Sequence, residues 1–315
     1  MLPLMARKLG ELVVVVFAVS ALTFSLLSLV PGDPAVAIIG QNEVTPERLA
    51  EVHAELGLDD SLPIRYLNWA KGAITGDLGR SERLNQDVTD TLKERIPVTA
   101  ELILLAMVVA LTVALPLGSF AAYRAGTKAD KATTALSFAL LSMPTFILAI
   151  ALIIIFAVRL QWLPATGWTP LDEGVAENLR RMVLPVATLG LTEAAVYTRV
   201  LRSDMITVLN SEFIAFARAK GLGIRQVLTR HALRPASLSL LTLVGLQLGR
   251  AIAGAVVIEQ IFALPGLGTM LFAAILSRDL VLVQGGVLVL AITFVVVNAL
   301  VDMAYTMLDP RIRSG

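Results

Sequence analysis

Six apolar runs, each close to the thickness of a bilayer in length, constrain this chain more than any other feature. The first fills most of residues 1–30, and the others cover about 98–123, 132–158, 182–201, 238–262 and 284–308. A helix needs about 20 apolar residues to cross ~30 Å of hydrocarbon, and tilt widens that to about 17–25. Lipid offers no water to backbone N–H and C=O groups, so such runs must satisfy them internally, as helices do. Composition agrees, since 56% of the residues are hydrophobic and only 16% are charged, where a soluble domain carries about 25%. The expected fold class is an all-α membrane protein with six transmembrane helices.

The first run follows Arg7 and Lys8 and ends in the Pro31-Gly32-Asp33-Pro34 turn, with no small-residue cleavage site after it. It reads as a retained helix with its N-terminus in the cytoplasm, a cleaved signal being the alternative. Residues 31–97 are too polar for hydrocarbon and fall on the opposite, extracytoplasmic face. Within them, Pro46 to Leu56 reads as a short helix with Thr45 as N-cap and Gly57 as stop. This segment serves either as a folded cap on the membrane core or as a contact surface for an external partner. Residues 98–315 form the five-helix core. Six spans bring both termini inside, and the charges beside the membrane agree: Arg124, Lys128 and Lys131 lie in a short inner loop, and Arg311 and Arg313 at the C-terminus. The spans contain Pro116, Gly118, Pro144, Pro185, Gly190, Gly245, Gly249 and Gly254. Such residues allow kinks and close helix approach in lipid.

Between the fourth and fifth runs the chain turns basic. Residues 212–235, EFIAFARAKGLGIRQVLTRHALRP, hold Arg218, Lys220, Arg225, Arg230 and Arg234, with Arg202 upstream and Glu212 as the one carboxylate. Helical spacing puts Phe213, Phe216, Ala217 and Lys220 on one side, and Gly221 supplies a left-handed stop. The expectation is a short cytoplasmic helix, 212–221, whose apolar face must be received by something outside its own core.

Among the charges inside the apolar runs, four bear most on function: Glu101, Glu193, Arg250 and Glu259. A charge at mid-bilayer costs about 2.5–3.5 kcal/mol on insertion scales, so each needs a partner or a watery path. Glu193 and Arg250 lie mid-way along the fourth and fifth runs and either pair or line a translocation path. Glu101 and Glu259 lie nearer the outer ends, within reach of the interface, and read as structural.

These residues together resemble a known family. EFIAFARAKGLGIRQVLTRHALRPA is similar to the cytoplasmic EAA loop of ABC importer permeases in its peptide-permease form. In order along the chain, LVPGDPA (29–35), ELGLDDSLPIRYLNW (55–69), GDLGRS (76–81), IEQIFALPGLG (258–268), RDLVLVQG (278–285) and VNALVDMAYTMLDPRIR (297–313) match as well. The resemblance spans nearly the whole chain, with departures at Pro235 and at Ala215-Phe216, where many relatives are more polar. It implies the type I (MetI-like) importer fold and the first, B-type permease subunit of a dipeptide, oligopeptide or nickel importer.

It implies partners too: a second permease subunit forming a heterodimer, two ATP-binding subunits and an extracytoplasmic substrate-binding protein, all at a bacterial inner membrane. The helix around 212–221 would be the coupling helix, with Glu212, Phe213, Ala217, Arg218, Lys220 and Gly221 making the ATPase contact. No G-x-x-x-x-G-K-[ST] motif occurs, so the chain is expected to be no enzyme and to bind no cofactor, with ATP and Mg held by the ATPase subunits. The absence of cysteine and the presence of only His53 and His231 leave no metal-site pattern, and no nucleic-acid partner is expected. Motifs of an intramembrane protease are missing. A stand-alone secondary transporter has only Glu193 and Arg250 in its favour. The expected cargo is short peptides, with nickel chelates, glutathione or another small solute as alternatives.

Overall fold

In the computed structural model the chain is helical almost throughout; it describes residues 2–29, 35–36, 45–55, 57–81 and 83–308. The Pro31–Pro34 turn and the C-terminal Arg311 and Arg313 lie outside the described residues. The helices are α1 (Leu2–Ser28), α2 (Pro46–Glu55), α3 (Leu62–Thr75), α4 (Val88–Tyr123), α5 (Lys128–Ser142), α6 (Thr145–Arg159), α7 (Val175–Leu209), α8 (Glu212–Ala219), α9 (Ile224–Phe262), α10 (Leu267–Ser277) and α11 (Leu280–Leu308). A two-residue hairpin, β1 (Arg80–Ser81) with β2 (Gln86–Asp87), pairs Arg80 with Asp87 and Ser81 with Gln86.

Among the described residues three helices, α4, α9 and α11, are long and apolar enough to cross a membrane, and the bent pair α5–α6 makes a fourth if counted as one span. The run expected at 132–158 is therefore not straight: it turns by 102° between Ser142 and Thr145. Pro144 explains the turn. It has no N–H to continue the α5 ladder, and it pushes Met143 into the extended region, where that residue sits at φ −91°, ψ 123°. The short helix expected at Pro46 to Leu56 is α2, with the Leu49 N–H on the Thr45 carbonyl at 2.9 Å. The second apolar run also begins earlier than its composition suggests, because α4 continues back through Pro97 to Val88. α7 reaches 35 residues but carries Glu177, Arg180, Arg181, Glu193, Arg199 and Arg202. It tolerates them because most of its large apolar residues face neighbours: Met182, Leu184, Leu189, Tyr197, Leu201 and Met205 are all buried.

Contacts divide the chain into two compact units, residues 1–98 with 265–296, and residues 99–264 with 297–315. In the first, Leu78, Val88, Leu92, Met270, Leu271 and Leu282 form the core. Asp279 ties it down, accepting the Ser81 hydroxyl and, at 3.1 Å, the Leu282 N–H at the start of α11. Gly285 lets that helix approach, because a Cβ there would stand 2.5 Å from Val88 Cγ1.

In the second unit α7 packs most extensively against α9, and also against α5 and α6. Ala110, Ala114, Ala194, Tyr197, Leu201 and Leu240 lie in its core. Small residues bring the backbones together in lipid, where packing rather than water exclusion drives helix association. At Gly190 of α7 a Cβ would lie 2.9 Å from the Ala106 carbonyl and 3.1 Å from Val109 Cβ. Gly190→Leu should therefore force α4 from α7 at a cost of about 1–3 kcal/mol. It should read out as a lower melting temperature of the purified complex and less permease in the membrane.

Candidate functional site

The basic stretch follows α7 and forms a helix–turn–helix from α8 and the first turns of α9. Ser211 opens it: its hydroxyl donates to the Val208 carbonyl at 2.5 Å, while its own carbonyl accepts the Ile214 and Ala215 N–H groups, both at 3.1 Å. The chain then enters α8, with Glu212 in the first turn, where a carboxylate complements the helix dipole, and Arg218 in the last, where a cation does.

The end of α8 is a complete Schellman motif. Gly221 N–H donates to the Arg218 carbonyl at 2.9 Å and Leu222 N–H to the Ala217 carbonyl at 3.3 Å, the 5→2 and 6→1 bonds of that closure. Gly221 sits at φ +80° with nothing within 4 Å of where a Cβ would be. Backbone conformation, not space, is what the glycine supplies. The expected left-handed stop at this residue is present. Beyond it, α9 starts with an α-turn and then a π-helical stretch over Val227–Ala232, inside the basic segment. Such irregular turns recur at functional positions.

The faces of α8 differ from the sequence expectation. Ile214 is fully buried and Ala217 nearly so. Ile214 joins Leu201, Met205, Val227 and Ala232 in the core, with Leu222 and Leu228 against it. The helix thus does have a core of its own chain to bury one stripe, and Ala217 belongs to that stripe. Phe213 and Phe216 belong to the other side, 49% and 63% exposed. Lys220 lies with them, its ammonium 4.6 Å from the centre of the Phe216 ring. Glu212, Arg218, Lys220, Arg225, Arg230 and Arg234 are all exposed. What α8 offers outward is an aromatic pair in a field of positive charge. Composition could not separate Ile214 from Phe213, because both are apolar and adjacent; only the register of α8 against Met205 and Val227 does.

A second arrangement positions this stretch, and it went unread in the sequence. Asp130, at the start of α5, is buried and pairs in two-pronged fashion with Arg202 of α7: one bond from Arg202 Nε, and one from Nη2 at 2.7 Å. The Gly126 N–H adds a third bond to Asp130 at 2.8 Å, and Thr127 caps α5 by accepting the Asp130 N–H at 3.5 Å. The pair joins the loop between α4 and α5 to the helix that leads into α8. The available signal was Thr-x-x-Asp before an apolar run, a capping pattern, with a lone acid among Arg124, Lys128 and Lys131.

Deeper in the same unit, Glu193 accepts a bond from Gln247 Nε2 at 3.2 Å and faces the Tyr197 hydroxyl. Glu193 and Arg250 form no ion pair among the described residues. Gln247 is the missed residue here, an uncharged amide that a search for charges passes over. Glu259, expected within reach of the interface, is instead fully buried and accepts the Thr99 hydroxyl at 2.5 Å. Glu101 accepts from Trp168 Nε1 and Asn178 Nδ2, both at 3.3 Å. Both carboxylates pin α4 to its neighbours within the unit, the structural role expected of them. No group of three or more His, Cys, Asp or Glu side chains able to hold a metal occurs among the described residues.

Comparison with known proteins covers nearly the whole chain. Residues 114–314 match the family model described as the binding-protein-dependent transport system inner membrane component, and residues 1–103 match the N-terminal model of the same membrane component. A putative peptide transport system permease protein of Brucella abortus is 41% identical over 313 residues, covering 99% of each chain. The di/tripeptide transport system permease protein DppB of Pseudomonas aeruginosa is 38% identical, and the dipeptide transport system permease protein DppB of Escherichia coli 36% identical, each again over 99% of both chains.

Proposed function

This chain belongs to the family of binding-protein-dependent transport inner membrane components, and from that premise we propose that it is one permease subunit of an ATP-driven importer of short peptides. The observation that carries the cargo class is the end-to-end correspondence with relatives named for peptide, dipeptide and di/tripeptide transport. The chain acts in the inner membrane with six spans, α1, α4, α5–α6, α7, α9 and α11, and with both termini and α8 in the cytoplasm. Residues 31–97 lie on the outer side, where a substrate-binding protein delivers the solute. A second permease subunit completes the path, and two ATP-binding subunits supply the energy.

α8 is the element those ATPases move. Its exposed Phe213 and Phe216 fill an apolar groove, Glu212, Arg218 and Lys220 set register by charge, and Ala217 with Ile214 locks the helix to α7 and α9. Gly221 fixes the angle at which the chain returns to the membrane. Closure of the ATPase pair then biases a two-state element, and the spans follow as rigid bodies. Glu193, Gln247 and Arg250 provide the polar track along the path, since uncompensated charge inside a membrane protein faces water or cargo.

Removing the aromatic pair tests the docking claim. Phe213→Ser with Phe216→Ser should leave folding intact, because both rings are exposed, while lowering ATPase subunit binding at least tenfold in a pull-down. Cargo is tested by reconstituting the transporter with its binding protein and measuring ATP-dependent uptake of a labelled dipeptide. Uptake of a nickel chelate or glutathione in its place would assign the alternative cargo.

A further inference from the structure

The segment after α1 is not simply a watery cap. Helix α3 packs along the C-terminal half of α1, not beyond its end: Tyr66 bonds Ser20 through their hydroxyls at 2.9 Å and meets Phe17 and Phe24 edge to face, at ring centroids 5.9 and 5.6 Å away. Trp69 meets Phe24 at a tilt, ring centroids 6.1 Å apart, and the Arg65 guanidinium lies 5.9 Å from the same ring. Trp69 and Ala73, with Val16 of α1, close onto the core of the unit.

Depth follows from helix geometry. α1 keeps exposed apolar side chains up to Leu26 and Leu29, 56% and 75% exposed, so hydrocarbon extends to its outer end. Ser20 lies nine residues before Leu29, about 13 Å along the axis at 1.5 Å per residue, in a leaflet about 15 Å thick. A helix that reaches Ser20 with a tyrosine hydroxyl sits within that leaflet.

The outward surface of α3 fits such a place. Ile64, Leu67, Lys71 and Ile74, at i, i+3, i+7 and i+10, fall on one stripe directed away from Tyr66 and Trp69, and Ile74 is 87% exposed. The only charges on α3 are basic, Arg65 and Lys71, and Lys71 can reach headgroups past its apolar neighbours. Trp69 and Tyr66 are the aromatic types favoured at membrane interfaces. We propose that α3 is embedded in the outer leaflet, with the Ile64–Leu67–Ile74 stripe against lipid acyl chains, anchoring the segment between α1 and α4 to the membrane.

This rests on the reading of α1 as a span, and the test separates the two. The chain has no cysteine, so single spin labels can be placed by Leu67→Cys, Ile74→Cys, Val14→Cys and Glu47→Cys in the complete transporter, otherwise free of reactive thiols, in phosphatidylglycerol–phosphatidylethanolamine vesicles. Collision with oxygen reports lipid, and collision with a water-soluble nickel chelate reports solvent. The labels at 67 and 74 should show oxygen accessibility several-fold above nickel accessibility, as at 14 on α1, with the ratio inverted at 47. A water-like ratio at 67 and 74 beside a lipid-like ratio at 14 overturns the embedding of α3 alone. Low collision with both reagents there would mean that a protein partner covers the stripe, which overturns it too. A water-like ratio at 14 overturns the span reading of α1 on which it stands.

Discussion

Gly221→Pro should leave the permease in the membrane at normal levels while reducing ATP-driven uptake more than tenfold. Proline is held near φ −65° and carries no N–H, whereas Gly221 sits at φ +80° and donates to the Arg218 carbonyl. Both the conformation and the 5→2 bond of the α8 closure are lost together, and the chain leaves α8 in a new direction. The apolar anchor of Ile214 beneath it survives, so the lesion falls on orientation rather than on folding. A graded series separates this from a packing defect. Nothing stands within 4 Å of a Cβ at this position, so Gly221→Ala carries only the left-handed strain of about 1 kcal/mol. Asparagine, which tolerates that conformation, should cost less. Uptake should fall in the order Gly, Asn, Ala, Pro, while ATP hydrolysis by the assembled complex persists without productive transport. Normal uptake by the proline variant would remove α8 from the coupling role.

Asp130→Ala should lower the stability of the permease by about 2–4 kcal/mol, because it strands a half-buried guanidinium and leaves the Gly126 N–H without its acceptor. The Asp130 side chain is 4% exposed and that of Arg202 28%, so solvent compensates the arginine only in part. Arg202→Ala should cost a similar amount and the double substitution far less than the sum, with a coupling of about 1–3 kcal/mol. The loss should show as a lower melting temperature and as proteolytic nicking in the loop between α4 and α5. Because Arg202 lies about three turns before α8, uptake should fall in parallel. Strict additivity of the two single effects would mean that the pair is a surface ornament of negligible worth.

The elements differ in how plainly they could be read. Gly221 was legible because a left-handed helix stop leaves a chemical trace, a residue without a Cβ after a basic last turn. The apolar runs of α4, α9 and α11 were legible for a similar reason, since lipid demands a composition and not merely a pattern. The broken span at Pro144 was half legible: proline announces a disturbance, but the 102° turn depends on what α6 packs against. Asp130–Arg202 and Glu193–Gln247 were not legible as pairs, because residues 72 and 54 positions apart meet only through the packing of α5, α7 and α9. The same packing separated Ala217 from Phe213 and Phe216, which helical spacing alone had grouped.

By itself, the sequence determined the membrane class, the family and the place of the basic stretch, because these rest on composition and on ordered local motifs. Tertiary structure alone decided which side of α8 faces out, which acid holds Arg202, and that α3 lies along the C-terminal half of α1. Each of those turns on register and depth between helices far apart in the chain, and apolar residues that look alike in sequence become core, docking face or lipid face only once their neighbours are in place.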